Sequence, residues 1–270
     1  MVDQRTVEVL LLGDLEAAEF SCLLPTLAKL ANVRWQRSDE TAALANFAWV
    51  LLCAARPGRF GEAEVESIRR RNPLAQIVQI HGPWCYGEAR TWPLPAGIER
   101  IAWYEAPYRL PSLLQSTGGP PIPATSSPQE RALALLSDVS RSAEGGEVGI
   151  YALTAADFGL LASACQALGM TATWAELDQP PDSSWVGMVA IVASTDRAEF
   201  PAIAEAFRHA GDIPKLLCVG APTWEDWQKG HSCGVTAILG QPFSLADVAQ
   251  LLIPQGDCGI LPLVNRAGKR

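Results

Sequence analysis

The chain has 270 residues and a formal net charge of −8, with 49% hydrophobic and 19% charged residues. That supplies the core of two ordinary domains or one large one, and it excludes global disorder. The charge is uneven: residues 1–116 carry 12 basic and 13 acidic side chains, whereas residues 146–270 carry 7 and 13. A nucleic-acid backbone is bound by clustered Lys and Arg. The one dense cluster, Arg69-Arg70-Arg71, ends a predicted helix and complements the negative end of its dipole. Nucleic acid is therefore not an expected partner.

Seven cysteines (Cys22, Cys53, Cys85, Cys165, Cys218, Cys233, Cys258) form no C-x-x-C pair, and several lie inside apolar runs, where a thiol packs as a small hydrophobe. An odd count, no secretion signal and no apolar run long enough to span a bilayer (Val7–Leu12 is far too short) point to a reducing cytoplasm, without a membrane contact.

In chain order, VEVLLL (7–12) is a predicted buried strand, followed by Asp14 and an apolar-periodic helix from about Glu16 to Leu30. NVRWQR (32–37) and AWVLLCAA (48–55) are the next strands, and a helix runs from about Gly61 to Arg71, where Asn72-Pro73 stops it. QIVQIHG (76–82) is a fourth strand, Pro83–Gly97 a long loop, IERIAWYE (98–105) a fifth strand, and Pro107 with PSLLQ opens a last helix. The proline- and glycine-rich stretch STGGPPIPATSSP (116–128) reads as a semi-rigid linker. Ser127-Pro128-Gln129-Glu130 has capping-box spacing, so a connecting helix to about Arg141 is expected, with Leu133, Leu136 and Val139 on one face.

The same signals then recur. EVGIYAL (147–153) is a strand, Ala155–Leu168 a helix closed by Gly169, and MTATWAEL (170–177) and WVGMVAIVAS (185–194) are strands. A helix Arg197–Ala210, strand KLLCVGA (215–221), short helix Thr223–Lys229, strand GVTAILG (234–240) and closing helix Ser244–Leu252 complete the set, with a tail from Pro254. Apolar strands separated by helices indicate parallel sheets covered on both faces. The expectation is an α/β chain of two tandem three-layer domains (1–116 and 146–270), joined by the linker and helix of 117–145, each with a five-stranded parallel sheet.

Two stretches carry a family resemblance. LLCAARPGRFGEAEVESIRRRNPLAQIVQIHG, with Pro57-Gly58 and Gly61, resembles the run of a response-regulator receiver from its acceptor strand through the next strand. GHSCGVTAILGQPFSLADVAQLL, with Gln241-Pro242-Phe243, resembles a receiver's last strand, Lys-Pro-Phe and closing helix. The resemblance implies two flavodoxin-like, receiver-like domains. It also implies what phosphotransfer would require: an acidic pair and an acceptor aspartate on magnesium, a lysine, and a Thr or Ser hydroxyl that reports the modified state.

Carried over position by position, that set is largely missing. In the first half the acidic pair is reduced to Asp14 beside Gly13, the acceptor position is Cys53, the hydroxyl position His81 and the lysine position Ala106. In the second half Asp157 stands several residues late, the acceptor position is Ala193 (or Ser194 with a slip of one), the hydroxyl position Gly220 and the lysine position Gln241. No small slip restores an acceptor, because no aspartate lies between Asp39 and Arg71 or between Val186 and Thr195. Two further segments, Trp84-Cys85-Tyr86-Gly87-Glu88 and Trp103-Tyr104-Glu105-Ala106-Pro107, resemble uncharacterised planctomycete proteins and imply nothing about function.

Other motifs compete weakly. Gly230-His231-Ser232-Cys233-Gly234 matches G-x-S-x-G, but it precedes a strand instead of following one, and no His follows Ser232. Cys53 and His81 end neighbouring strands and invite a thiol–imidazole reading, against which stands the absence of an orienting carboxylate. No zinc spacing or dinucleotide fingerprint is present. Nine tryptophans are unusual. Trp224 and Trp227 share a helix face and suit either a partner surface or a covered seam, whereas core packing suits Trp103 better. With Tyr104, Pro242 and Phe243 these residues form the candidate interaction surface. The expectation is a non-catalytic signalling or scaffold protein that binds an unidentified protein partner, a homodimer being one form, and needs no cofactor or metal. The alternative is a small-molecule sensor or an unrecognised enzyme working at the sheet edge near Cys53 and His81.

Overall fold

The computed structural model describes residues 7–36, 47–91, 93–115, 145–176 and 179–252. The chain divides into two compact units, 1–125 and 126–270, so the division falls within the stretch read as linker. The connecting helix and the tail expected from the sequence lie outside the described residues.

In unit 1 the order is β1 (Val7–Gly13), a 3-10 turn (Ala18–Phe20), α1 (Leu23–Leu30), β2 (Ala31–Gln36), β3 (Trp49–Ala54), α2 (Glu62–Arg71), β4 (Gln76–His81), a 3-10 turn (Pro83–Cys85), α3 (Glu88–Thr91), β5 (Glu99–Ala102) and α4 (Ala106–Gln115). The strands are parallel, in the order β2-β1-β3-β4-β5. One sheet face carries Leu10, Leu12, Val50, Leu52, Ala54 and Ile77 and packs with Val65 and Ile68 of α2. Val9, Leu11, Leu51, Cys53, Ile80 and Ile101 alternate with these and are fully buried on the other face, the side of α1 and α4, which pack together. Burying each such side chain contributes about 1.5–3 kcal/mol.

Unit 2 repeats the plan: β6 (Glu147–Tyr151), α5 (Ala155–Ala167), β7 (Thr171–Trp174), β8 (Trp185–Val192), α6 (Phe200–His209), β9 (Lys215–Val219), α7 (Trp224–Ser232), β10 (Ala237–Gly240) and α8 (Leu245–Leu252). Its parallel order β7-β6-β8-β9-β10 is that of unit 1. Thr154 caps α5 by accepting the Asp157 N–H at 3.1 Å, and Gly169 follows that helix at φ +74°. Each unit thus has the receiver-like, flavodoxin-like architecture.

Two helices start later than their apolar periodicity predicts, for one reason. A helix reaching back to Glu16 would need the Pro25 nitrogen to donate to the Ser21 carbonyl. Proline has no N–H, so α1 begins at Leu23 with Pro25 in its first turn. Likewise α6 begins at Phe200, with Pro201 second, instead of at Arg197. The strand predicted over 98–105 covers only Glu99–Ala102. Beyond it the Glu105 N–H donates to the Ala102 carbonyl at 2.9 Å and turns the chain into α4. Among the described residues, no helix is long and apolar enough to cross a membrane.

Candidate functional site at the carboxyl ends of the sheets

In a parallel sheet of this order the strand order reverses between the first and third strands, and the crevice outside their carboxyl ends is the usual ligand position. In unit 1 that place is closed by backbone. Gly13 ends β1 in register with Cys53, at φ +111°, and a Cβ on it would sit 2.2 Å from the Cys53 carbonyl oxygen. No side chain can occupy this position, so the partner acid of a receiver's pair is sterically forbidden here. The Asp14 N–H donates to the same carbonyl at 2.9 Å.

The Asp14 carboxylate is itself engaged. It accepts the Ala55 N–H at Oδ2 and the Arg59 Nε–H at Oδ1, each at 3.0 Å, so a guanidinium stands where a cation would be bound. Among the described residues, no group of three or more His, Cys, Asp or Glu side chains is arranged to hold a metal ion.

Cys53 and His81 do not meet. Cys53 is in register with Ile80, and His81 with Ala54, so the two side chains leave opposite faces of the sheet. The Cys53 thiol is fully buried, and burial, with smaller contributions from Asp14 and Cys22, raises its pKa. It is held as an unreactive thiol. His81 is lowered to about 4, first by burial and then by the Arg100 charge, and its Nδ1 is buried without a partner. The thiol–imidazole reading is corrected accordingly. Ala106, at the lysine position, is fully buried at the start of α4.

Paired with Arg100 is a residue that sequence reasoning missed. Glu88 is 3% exposed, accepts the Gly58 N–H at 2.7 Å and forms an ion pair with Arg100. It therefore ties the loop after β3 to β5. Its partners are 30 and 12 residues away, and no local spacing announces them.

Unit 2 uses its acids differently. Asp157 sits in the first turn of α5, where its side chain accepts the Thr154 hydroxyl at 2.7 Å. Ala193 is exposed, and Ser194 Oγ accepts the Asp196 N–H at 3.1 Å. Gly220 donates its N–H to the Ala193 carbonyl at 3.3 Å, and Gln241 donates its own to Val219 at 2.8 Å, before a cis bond to Pro242.

The commanding residue here is Asp226, 4% exposed. Its Oδ1 accepts the N–H and hydroxyl of Thr195 at 3.0 and 2.5 Å, and its Oδ2 accepts those of Thr223 at 2.9 and 2.8 Å. Burial works to raise its pKa, and these four hydrogen bonds outweigh it, leaving the carboxyl below its ordinary range. Asp226 fastens the loop after β8 to the start of α7. The Thr223-x-x-Asp226 capping spacing was the available signal.

The aromatic surface expected from the sequence is mostly interior. Trp103 is fully buried and its indole N–H donates to the Tyr86 hydroxyl at 3.1 Å. Tyr104 is 7% exposed, and Trp227 is 6% exposed with its ring stacked on His231 at 3.9 Å. Tyr104 and Trp227 leave the candidate surface as corrections, and Trp103 leaves it for the core packing that its sequence context favoured; all three stand beside or between strands and helices. Trp224 and Phe243 are half-buried, and Pro242 is exposed. Ser232 donates its hydroxyl to the Lys229 carbonyl at 2.7 Å at the end of α7, away from any strand-to-helix turn. Among the described residues the rings that do face solvent are Trp84, 66% exposed with the Arg56 guanidinium 4.6 Å from its centroid, Tyr86, 38% exposed, and, in unit 2, Trp174, 41% exposed.

No protein-family model matches the chain, and no curated protein matches it. Among solved structures it is similar to a CheY-like response regulator from Mesorhizobium loti, at 17% identity over 39% of this chain and 93% of that one, with a TM-score of 0.34. It is also similar to a two-component-system response regulator/GGDEF domain protein, at 10% identity over 92% of this chain and 98% of that one, again with a TM-score of 0.34. The fold stands on the strand order of the two sheets.

Proposed function

We propose that this chain is a non-catalytic signalling or scaffold protein of two pseudo-receiver domains, which acts by binding a protein partner and does not accept a phosphoryl group. One observation carries the proposal: the rim of unit 1 has a position that admits no second acid, and its single aspartate is already neutralised by Arg59. A divalent cation wants several oxygen donors, and unit 2 offers no better set, its buried carboxylate being saturated by Thr195 and Thr223. A reducing, cytoplasmic location belongs to the same proposal. The direct test is intact-mass spectrometry after incubation with acetyl phosphate and magnesium. An unchanged mass is expected, and an aspartyl adduct on either unit overturns the proposal.

Of the alternatives, the enzyme reading loses its support, because its two candidate groups face apart. Alkylation of Cys53 in the folded protein should be far slower than after unfolding, as judged by peptide mapping. The sensor reading keeps one argument. Gln79 Oε1, His81 Nδ1 and Arg100 Nε are buried without partners on one face of β4 and β5, and such groups are ordinarily satisfied by water or a guest. A small molecule released on denaturing the purified protein would favour that reading.

A further inference from the structure

The rim of unit 1 presents a second arrangement, distinct from the lost phosphate chemistry. Two loops meet there, one after β3 and one after β4, and each is held from beneath. Glu88 accepts the Gly58 N–H of the first loop. In the second, the Gly82 N–H and the Cys85 thiol donate to the Ala54 carbonyl at 2.8 and 3.5 Å. What these anchored loops display is Arg56 over the ring of Trp84, with Tyr86 two residues on.

Arg56 makes no ion pair of its own among the described residues. Arg59 is matched by Asp14, and Arg100 by Glu88, but among the described residues Arg56 pairs with no carboxylate. Its guanidinium lies 4.6 Å from the centroid of an exposed indole, a cation–π contact that favours this placement of the fork. Arg, Trp and Tyr are the residue types that dominate interface energetics, and rigid presentation reduces the ordering cost of binding. In unit 2 the corresponding loops show no exposed ring. The exposed Leu153 and Trp174 of that unit lie elsewhere, after β6 and at the end of the edge strand β7.

We infer that Arg56, Trp84 and Tyr86 form the docking surface for the protein partner, and that the partner presents an acidic peptide segment, its carboxylate on Arg56 and an apolar side chain against Trp84. This rests on the reading of the chain as an interaction module and names the surface and the chemistry of what it binds.

The test is selection of a phage-displayed random peptide library on the immobilised full-length protein, followed by affinity measurement with the enriched peptides. Enriched sequences should be rich in Asp and Glu, and their binding should weaken as salt rises. Arg56→Glu should lower affinity at least about tenfold and shift new selections toward Lys and Arg. Trp84→Ala should lower affinity about thirtyfold, the effect of a strong interface residue. Leu74→Ala serves as control, since Leu74 is 90% exposed on the turn between α2 and β4, and it should change nothing. Thermal melts of all three variants should match the parent, because each replaces an exposed side chain. Peptides without an acidic signature, or affinities indifferent to Arg56→Glu and Trp84→Ala, overturn the inference. Neither result bears on the phosphorylation test, so the two proposals can fail separately.

Discussion

Unit 1 and unit 2 share a strand order and dispose of their rim acids in opposite ways. In unit 1, Asp14 remains at the end of the first strand, partly exposed and neutralised by a guanidinium. In unit 2 the strong carboxylate, Asp226, lies on the far side of the rim at the start of a helix, buried beneath four hydrogen bonds from Thr195 and Thr223. The first acid is occupied; the second is structural. The two rims therefore have no acid arrangement in common, and burial decides how much stability each acid contributes.

That contrast can be broken experimentally, and the largest effect belongs to the backbone. Gly13→Ala should destabilise unit 1 by about 4 kcal/mol or more, in the range reserved for strained or overpacked sites. Hydrogen exchange on the full chain should show unit 1 amides losing protection while those of unit 2 keep it. Asp226→Ala should do the reverse, removing about 2–3 kcal/mol from unit 2 by orphaning the buried N–H and hydroxyl of Thr195 and undoing the helix cap at the more exposed Thr223.

Acid comes next, acting through one partly buried histidine in each unit. The His81 pKa lies below its unfolded value, so the unfolded chain takes up the proton first and unit 1 loses stability as pH falls from about 6.5 toward about 4, at most about 1.4 kcal/mol per pH unit. The Asp226 pKa is also depressed, so its contribution survives that interval and fades only below the ordinary carboxylate range. His231 of unit 2 is lowered by burial as well, so both units should soften in exchange measured from pH 7.5 to 3, and His81→Gln should flatten the decline of unit 1 alone. A decline of unit 1 unchanged by His81→Gln would remove this assignment. The smallest effect is expected from Asp14→Ala, about 1 kcal/mol or less by chemical denaturation, since its ion pair is partly solvated.

The repeated architecture was legible because buried parallel strands are apolar runs and the turns between them are marked by Gly and Pro. Pro25 and Pro201 were equally visible, yet a periodicity that ran straight through them concealed where the helices begin. The site was legible chiefly as a set of missing residues. What replaced them was not, because it depends on pairs distant in the chain: Arg59 with Asp14 across 45 residues, and Asp226 with Thr195 across 31. Strand parity, which separates Cys53 from His81, also requires the register, and a sequence of two apolar runs does not reveal it. Trp227 misled for a related reason, since tryptophan there suits an interface and a covered seam equally well until its neighbours are known.

The bend at Gly13 has a bearing on attempts to rebuild what this scaffold lacks. An engineer writing an aspartate in place of Cys53 would still lack the companion acid, and a substitution at 13 meets a main-chain oxygen, an atom that every amino acid carries. No shaving of neighbouring side chains makes room for it. A design that adds the companion acid would have to re-route the turn out of β1 itself, so the obstacle is written in the path of the polypeptide and not in its choice of functional groups.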